Sequence, residues 1–303
     1  MFDYKLLEAL DMVLRCGSFD AAAKRLHLTP SAISQRIRQL EERHGEVLLR
    51  RENPICATPS GEKLLAHVRQ VRALEAELGE QLAEDLDEQG ATQAWRTLRI
   101  GVNADSLALG LMPALSGLLS AQRLLLECVV DDEAYTLDLL RTGEVSGCIS
   151  TQSNLVAGCG VLPLGSMQYI GVASPQFAAL HLGEKLDAER LGNAPAAVFG
   201  YKESLHRRLL RERWGLLEGQ YPCHVIPESN ALFAAALAGF AYAVVPRQQA
   251  QVALASGELV EIAAFSHEVP LFWHHWSRQT RPAQLFSQAL MSFASTHLGP
   301  SNI

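Results

Sequence analysis

"SFDAAAKRLHLTPSAISQRIRQLEERHG", Ser18 to Gly45, holds two helical patterns separated by almost nothing. Ser18 is a good N-cap, and Phe19, Ala22, Ala23 and Leu26 recur at threes and fours behind it. His27-Leu28 is the turn. Thr29 caps the next helix, and Pro30 takes its first position, where a missing N–H costs nothing. Ile33, Ile37 and Leu40 form the buried stripe of that second helix. Ser31, Ser34, Gln35, Arg38 and Gln39 are then left on outward or flanking faces, more polar surface than an amphipathic helix needs.

A helix pair with a short turn and a polar second member is the helix-turn-helix arrangement, whose second helix enters the major groove of DNA. Ser31, Ser34 and Gln35 offer hydrogen-bonding groups to base edges, and glutamine engages adenine through two bonds. Arg36, Arg38 and Arg43 add positive charge, and the helix starts at Ser18 and at Thr29-Pro30 present backbone N–H groups to phosphate. The competing reading is an ordinary three-helix cluster with a solvated face, in which Arg36 or Arg43 pairs with Glu41 or Glu42.

Upstream, Leu6, Leu7, Leu10, Val13 and Leu14 give Tyr4–Leu14 helical spacing. Downstream, Leu48–Arg51 and Ile55–Thr58 are strand-like pieces around Glu52-Asn53-Pro54, a hairpin that places Arg50 and Arg51 beside the adjacent DNA backbone, as a wing would. Thr58-Pro59 starts another helix. Leu64, Val68, Val71, Leu74, Leu78 and Leu82 recur along it to about Leu86, a rod of about 42 Å at 1.5 Å per residue. So long a stripe between two domains needs a partner, and a second copy of itself is the natural one. "DEQGATQ" (87–93) ends the pattern.

From Thr97 strands and helices alternate. "TLRIGV", "LLLECVV", "GCIS", "QYIGVA", "AAVF", "CHVI" and "YAVV" are the strands, interleaved with helices at Ser106–Leu119, Tyr135–Arg141, Leu205–Trp214, Ala231–Ala238 and Arg247–Ala255. The expectation is an α/β domain of parallel sheets in two halves. The expected boundaries are 1–58 for a winged helix-turn-helix, 59–96 for the linker helix and hinge, and 97–303 for the α/β domain. The last divides into 97–167 plus 268–303, and 168–267.

Charge agrees with a nucleic-acid-binding end on an otherwise acidic protein. The net charge of −7 is divided unevenly: residues 1–72 carry +3 and the remainder −10. The six cysteines are dispersed, with no C-x-x-C pair, as expected of reduced thiols in a cytosolic protein. Asp3, Lys5, Glu8 and Asp11 interrupt the first apolar stretch, so no secretory signal is expected. The charge-free run Ser229–Pro246 is read as a buried helix followed by a buried strand, not a membrane span.

"FDAAAKRLHLTPSAISQRIRQLEERHGEVLLRRENPICATPSG" resembles the N-terminal signature of LysR-type transcriptional regulators. The resemblance implies a winged helix-turn-helix, a long dimerising linker helix and an effector domain of two α/β subdomains like periplasmic binding proteins. "VNADSLALGLMPAL" and "LRTGEVSGCISTQ" look like the lysine- and arginine-sensing subgroup (the ArgP or LysG type), which controls a basic amino-acid exporter gene. As in that subgroup, Ser146 stands where many members carry an acidic residue. The resemblance implies a homodimer or tetramer on a partly palindromic stretch of double-stranded DNA, contact with RNA polymerase, and no cofactor beyond lysine or arginine as effector.

By the same resemblance the effector lies between the α/β halves, and ligands of parallel sheets do sit beyond the strands' carboxyl ends. Asn103, Ala104, Asp105 and Ser106 follow the first strand and open a helix, a setting for an α-carboxylate. Ser150, Thr151 and Gln152 follow "GCIS". Phe199 and Tyr201 follow "AAVF" and are placed to line the wall around an aliphatic stem. Asp105, Asp132, Glu133 and Glu228 are candidates for a cationic group. Each has a plainer alternative: Asp105 or Ser106 as a helix cap, Asp132 and Glu133 as surface carboxylates, Phe199 as core, and Glu228 or Asn230 as caps of the next helix.

Two other regulators remain as alternatives: one of the same architecture sensing another molecule, and a nucleoid- or replication-associated DNA binder. An enzyme is disfavoured because the sequence has no Walker loop, G-x-S-x-G, H-E-x-x-H or G-x-G-x-x-G. In "LFWHHW", one of His274 and His275 is expected to pack and the other to face solvent, with no metal.

Overall fold

The computed structural model describes residues 2–86, 95–130, 133–183, 185–200 and 205–300. Asp132, Tyr201 and the 87–93 break lie outside the described residues.

The first unit is three helices, α1 (Tyr4–Cys16), α2 (Phe19–Arg25) and α3 (Pro30–His44), followed by a two-stranded antiparallel wing, β1 (Leu49–Arg50) and β2 (Cys56–Ala57). The Ser18 hydroxyl accepts from Ala21 N, and the Thr29 hydroxyl from Ala32 N at 3.2 Å, so both expected caps start their helices. His27, at φ +54°, closes the turn between α2 and α3. Leu6, Leu7, Leu10 and Val13 meet Ala22, Ala23, Ile33, Ile37 and Leu40 in one core, which Leu65 and Val68 of the next helix complete. Burying aliphatic side chains of this size stabilises by roughly 1.5–3 kcal/mol each, which holds so short a chain segment together.

Helix α4 (Pro59–Leu86) has the expected length of 28 residues. Its first half is not a free rod. Val68 is fully buried in the helix-turn-helix core, and half-buried Leu64 packs against that core. Val71 and Leu74 are half-buried, while Leu78 and Leu82 are exposed.

The α/β unit is built on one eight-stranded sheet, among the described residues, in the order β4-β3-β5-β10-β6-β9-β7-β8. The strands are β3 (Arg96–Val102), β4 (Leu124–Val130), β5 (Gly147–Ser150), β6 (Cys159–Ala173), β7 (Ala196–Val198), β8 (Cys223–Val225), β9 (Tyr242–Pro246) and β10 (Val260–Trp276). The expectation of purely parallel sheets is corrected. Parallel pairs occur within each half, β3 with β4 and β5, and β7 with β8 and β9. The long strands β6 and β10 run antiparallel to each other and join the halves. The alternating β–helix–β pattern reports parallel neighbours only, and strands that cross between halves carry no such signal. The register of β10 against β6 shifts between Ile262 and His267, and again between Leu271 and Phe272.

The single helix expected over Ser106–Leu119 is two, α5 (Ala104–Ala108) and α6 (Leu111–Ala121), because Gly110 at φ +93° breaks the turn between them. The remaining helices are α7 (Glu133–Arg141), α8 (Pro175–Phe177, continued by a π-helical turn Ala178–Leu182), α9 (Ala188–Asn193), α10 (Leu205–Trp214), α11 (Ser229–Leu237), α12 (Arg247–Ser256) and α13 (Arg281–His297). Ser229–Pro246 is α11 followed by the buried strand β9. No helix among the described residues is long and apolar enough to cross a membrane.

Candidate nucleic-acid interface and effector cleft

On α3, Thr29, Pro30, Ser31, Gln35 and Arg38 are exposed, and Ser34 and Arg36 are half-exposed. The Thr29 and Ser31 hydroxyls lie 2.9 Å apart at the helix start. No hydrogen bond or ion pair to the protein engages Gln35 or Arg38 among the described residues, so both polar ends stand ready for a ligand. The expected alternative partners of the arginines are not used. Arg36 reaches the Lys5 carbonyl at 3.5 Å and Arg43 pairs with Asp3 at 3.2 Å, while Glu41 accepts from Leu48 N at 2.9 Å. Arg50 and Arg51 are exposed beside the wing. The Arg51 guanidinium lies over the Phe19 ring, 5.4 Å from its centroid, and so fastens the wing to α2. Sequence periodicity holds no sign of that contact.

The candidate effector residues follow the carboxyl ends of β3, β4, β5, β7 and β8. Asp105, on α5 of one half, accepts from Ser229 Oγ on α11 of the other at 2.6 Å. Its second oxygen accepts from the Tyr169 hydroxyl on β6, also at 2.6 Å. These are the short O–H···O distances of charge-assisted bonds. One carboxylate thus ties α5 of the first half to α11 and β6, and neither Tyr169 nor Ser229 stands out as a site residue in the sequence. The hydroxyl donors come from 64 and 124 residues away in the chain, beyond the reach of any local pattern.

The residues of the expected α-carboxylate setting, Asn103–Ser106, open α5. Asn103 itself caps α5, its side chain accepting from Ser106 N at 2.9 Å, and Ser106 is buried. Ala104 is half-exposed beside them. Ser150 is buried at the end of β5 and accepts from Gln152 N at 3.1 Å; Thr151 is half-buried and Gln152 exposed. Phe199 is half-buried and packs against the apolar core of the second half. Glu228 caps α11, accepting from Asn230 N at 2.9 Å and Ala231 N at 2.7 Å, so the plainer alternative describes its contacts. Glu133 lies at the start of α7.

Of the two tandem histidines, His274 is fully buried, with Nε2 2.7 Å from the Gln152 carbonyl, and His275 is half-buried. Burial holds His274 below the usual histidine range. Among the described residues no group of three or more His, Cys, Asp or Glu is placed to hold a metal. Cys148 and Cys159 are buried, and burial pushes their thiols up to about 12 and about 11, which keeps them protonated and unreactive.

A winged helix-turn-helix on a long helix, joined to an α/β unit of two halves, is the architecture of a ligand-responsive transcriptional regulator. Residues 4–62 match the bacterial regulatory helix-turn-helix proteins of the lysR family, and residues 91–295 match the LysR substrate binding domain. The chain belongs to the LysR family, as a DNA-binding transcriptional regulator. It is 43% identical over 299 residues, covering 98% of both chains, to the HTH-type transcriptional regulator ArgP of Aeromonas salmonicida. Among solved structures it is similar to ArgP from Mycobacterium tuberculosis, with 35% identity, a TM-score of 0.85 and all of both chains covered. It is also similar to full-length LysG from Corynebacterium glutamicum with bound effector Arg, with 30% identity, a TM-score of 0.84, and 99% and 100% of the two chains covered.

Proposed function

We propose that this protein senses a basic amino acid, arginine or lysine, in the crevice between its α/β halves. It binds a partly palindromic operator as a homodimer or pair of dimers in the cytoplasm, contacts RNA polymerase, and controls a basic amino-acid exporter gene. The observation that carries the effector reading is Asp105. Its carboxylate joins α5 to α11 and β6, and its side-chain partners among the described residues are hydroxyls, Ser229 from α11 and Tyr169 from β6. A guanidinium or ammonium offers that carboxylate stronger, charge-assisted donors and replaces the hydroxyl clasp. LysG, similar to this chain over its whole length, holds arginine as its bound effector, which supports the same class of ligand. On the DNA side, Ser31, Ser34, Gln35 and Arg38 meet base edges, while Ser18, Thr29, Pro30, Arg36, Arg50 and Arg51 lie along phosphates.

Isothermal titration tests the effector part with arginine, lysine and the uncharged arginine analogue citrulline, on the parent and on Asp105→Asn. The expected result is saturable binding of arginine or lysine, at least tenfold weaker for citrulline and for the variant. Binding of neither basic amino acid by the parent, or binding indifferent to both changes, overturns it.

A further inference from the structure

One buried arginine joins the DNA-binding unit to the effector domain of the same chain. Asp11 of α1 is fully buried, and Arg69 of α4 donates from Nε to its Oδ1 at 2.8 Å. The other arm of the Arg69 fork leaves the N-terminal unit: Nη1 donates to the Thr142 carbonyl at 2.7 Å. Thr142 begins the turn between α7 and β5, and β5 ends at Ser150, one of the candidate effector residues. Gly143 of that turn lies against α4, where a Cβ would stand 3.0 Å from Ala66 Cα and 3.3 Å from Arg69 Cβ. One helical face of α4 continues the contact. Ala73 packs against the cluster of Leu137, Leu140, Val145 and Cys148, and Glu77 accepts from Arg281 N at the start of α13 at 2.6 Å.

We propose that Arg69 is a positioning residue that couples the effector domain to the orientation of the recognition helix. The path runs from the turn 142–144 through Arg69 to Asp11, and from α1 to α3, which α1 packs against and holds through Lys5–Arg36 and Asp3–Arg43. Arginine suits this place because its planar fork fixes two donor directions at once. A lysine ammonium keeps the charge beside Asp11 but does not reproduce both arms. Arg72 provides the control, since it pairs with Asp11 and Glu8 and both of these partners lie inside the N-terminal unit.

The test compares the full-length parent with Arg69→Lys, Gly143→Ala and Arg72→Lys. The second variant loosens the same junction from the opposite side, because Gly143 combines φ +73° with that close approach. Operator affinity is measured with and without arginine, arginine affinity is measured separately, and amide hydrogen exchange is followed without ligand. In Arg69→Lys and Gly143→Ala, arginine affinity is expected to stay within threefold of the parent while the arginine-dependent ratio of operator affinities falls to within twofold of one. Exchange in peptides covering 62–77 and 137–145 is expected to rise at least fivefold, and Arg72→Lys to behave as the parent in every assay. The coupling measurement rests on the effector reading above, but the exchange measurement needs no ligand. If the parent fails to bind arginine, that reading fails and exchange alone decides the role of Arg69. A ratio unchanged in both variants, or exchange no faster than the parent's, overturns the proposal.

Discussion

Asn103 and Asp105 are two polar residues apart by one alanine, and they do different work. Asn103 satisfies a helix amide, whereas Asp105 turns away from its own helix to take two hydroxyls from distant elements. A capping carboxylate and one that bonds distant elements have the same local signature, so the sequence leaves both assignments open, and the tertiary partners separate them. His206 carries the pH dependence at this scale. It is fully buried, its Nε2 is 3.2 Å from the Tyr242 hydroxyl, and burial pushes it down to about 4. Above pH 6.5 the folded and unfolded chains both hold it neutral. Below that the unfolded chain takes a proton that the folded chain refuses until about pH 4, so stability falls between those values. Urea unfolding at pH 7, 5.5 and 4.5 is expected to show a loss of a few kcal/mol, reduced in His206→Gln. His267 and His274, also held low by burial, leave a residual slope. An equal slope in parent and variant contradicts this role.

At the scale of elements, α4 has three faces. Leu65 and Val68 close the helix-turn-helix core; Ala66, Arg69, Ala73 and Glu77 meet the effector domain; Leu78 and Leu82 remain exposed. The leucine periodicity makes the helix legible from end to end, because a 3.6-residue repeat depends only on spacing. It does not sort one stripe into separate partners, since burial against another domain and burial against another copy call for the same residues. The exposed end is the part left for a second copy. A leucine shut between two copies contributes about 1.5–3 kcal/mol. Leu78→Glu together with Leu82→Glu is therefore expected to shift the light-scattering mass at micromolar concentration from oligomer toward monomer, without changing helix content. An unchanged mass places the contact between copies elsewhere.

At the scale of the whole molecule, the recognition helix is the most legible part and the joining of the halves the least. Caps at Ser18 and Thr29, the Pro30 start and the Ile33–Ile37–Leu40 stripe are all local rules, and the structure satisfies each of them. The crossing of β6 and β10 depends on pairing between residues about a hundred positions apart, which no local rule encodes. That crossing joins the two parallel parts of one sheet, with Asp105 bonding from α5 to α11 and β6, while Arg69 links the first half to the DNA-binding unit. The most direct measurement is the salt-matched affinity of the purified full-length protein for a duplex containing its own footprint, against a random duplex of the same length. The parent is expected to prefer its site by at least a hundredfold, and Gln35→Ala with Arg38→Ala to lose most of that preference, each base contact being worth about 1–3 kcal/mol of discrimination. A double variant that keeps the parent's preference contradicts the account.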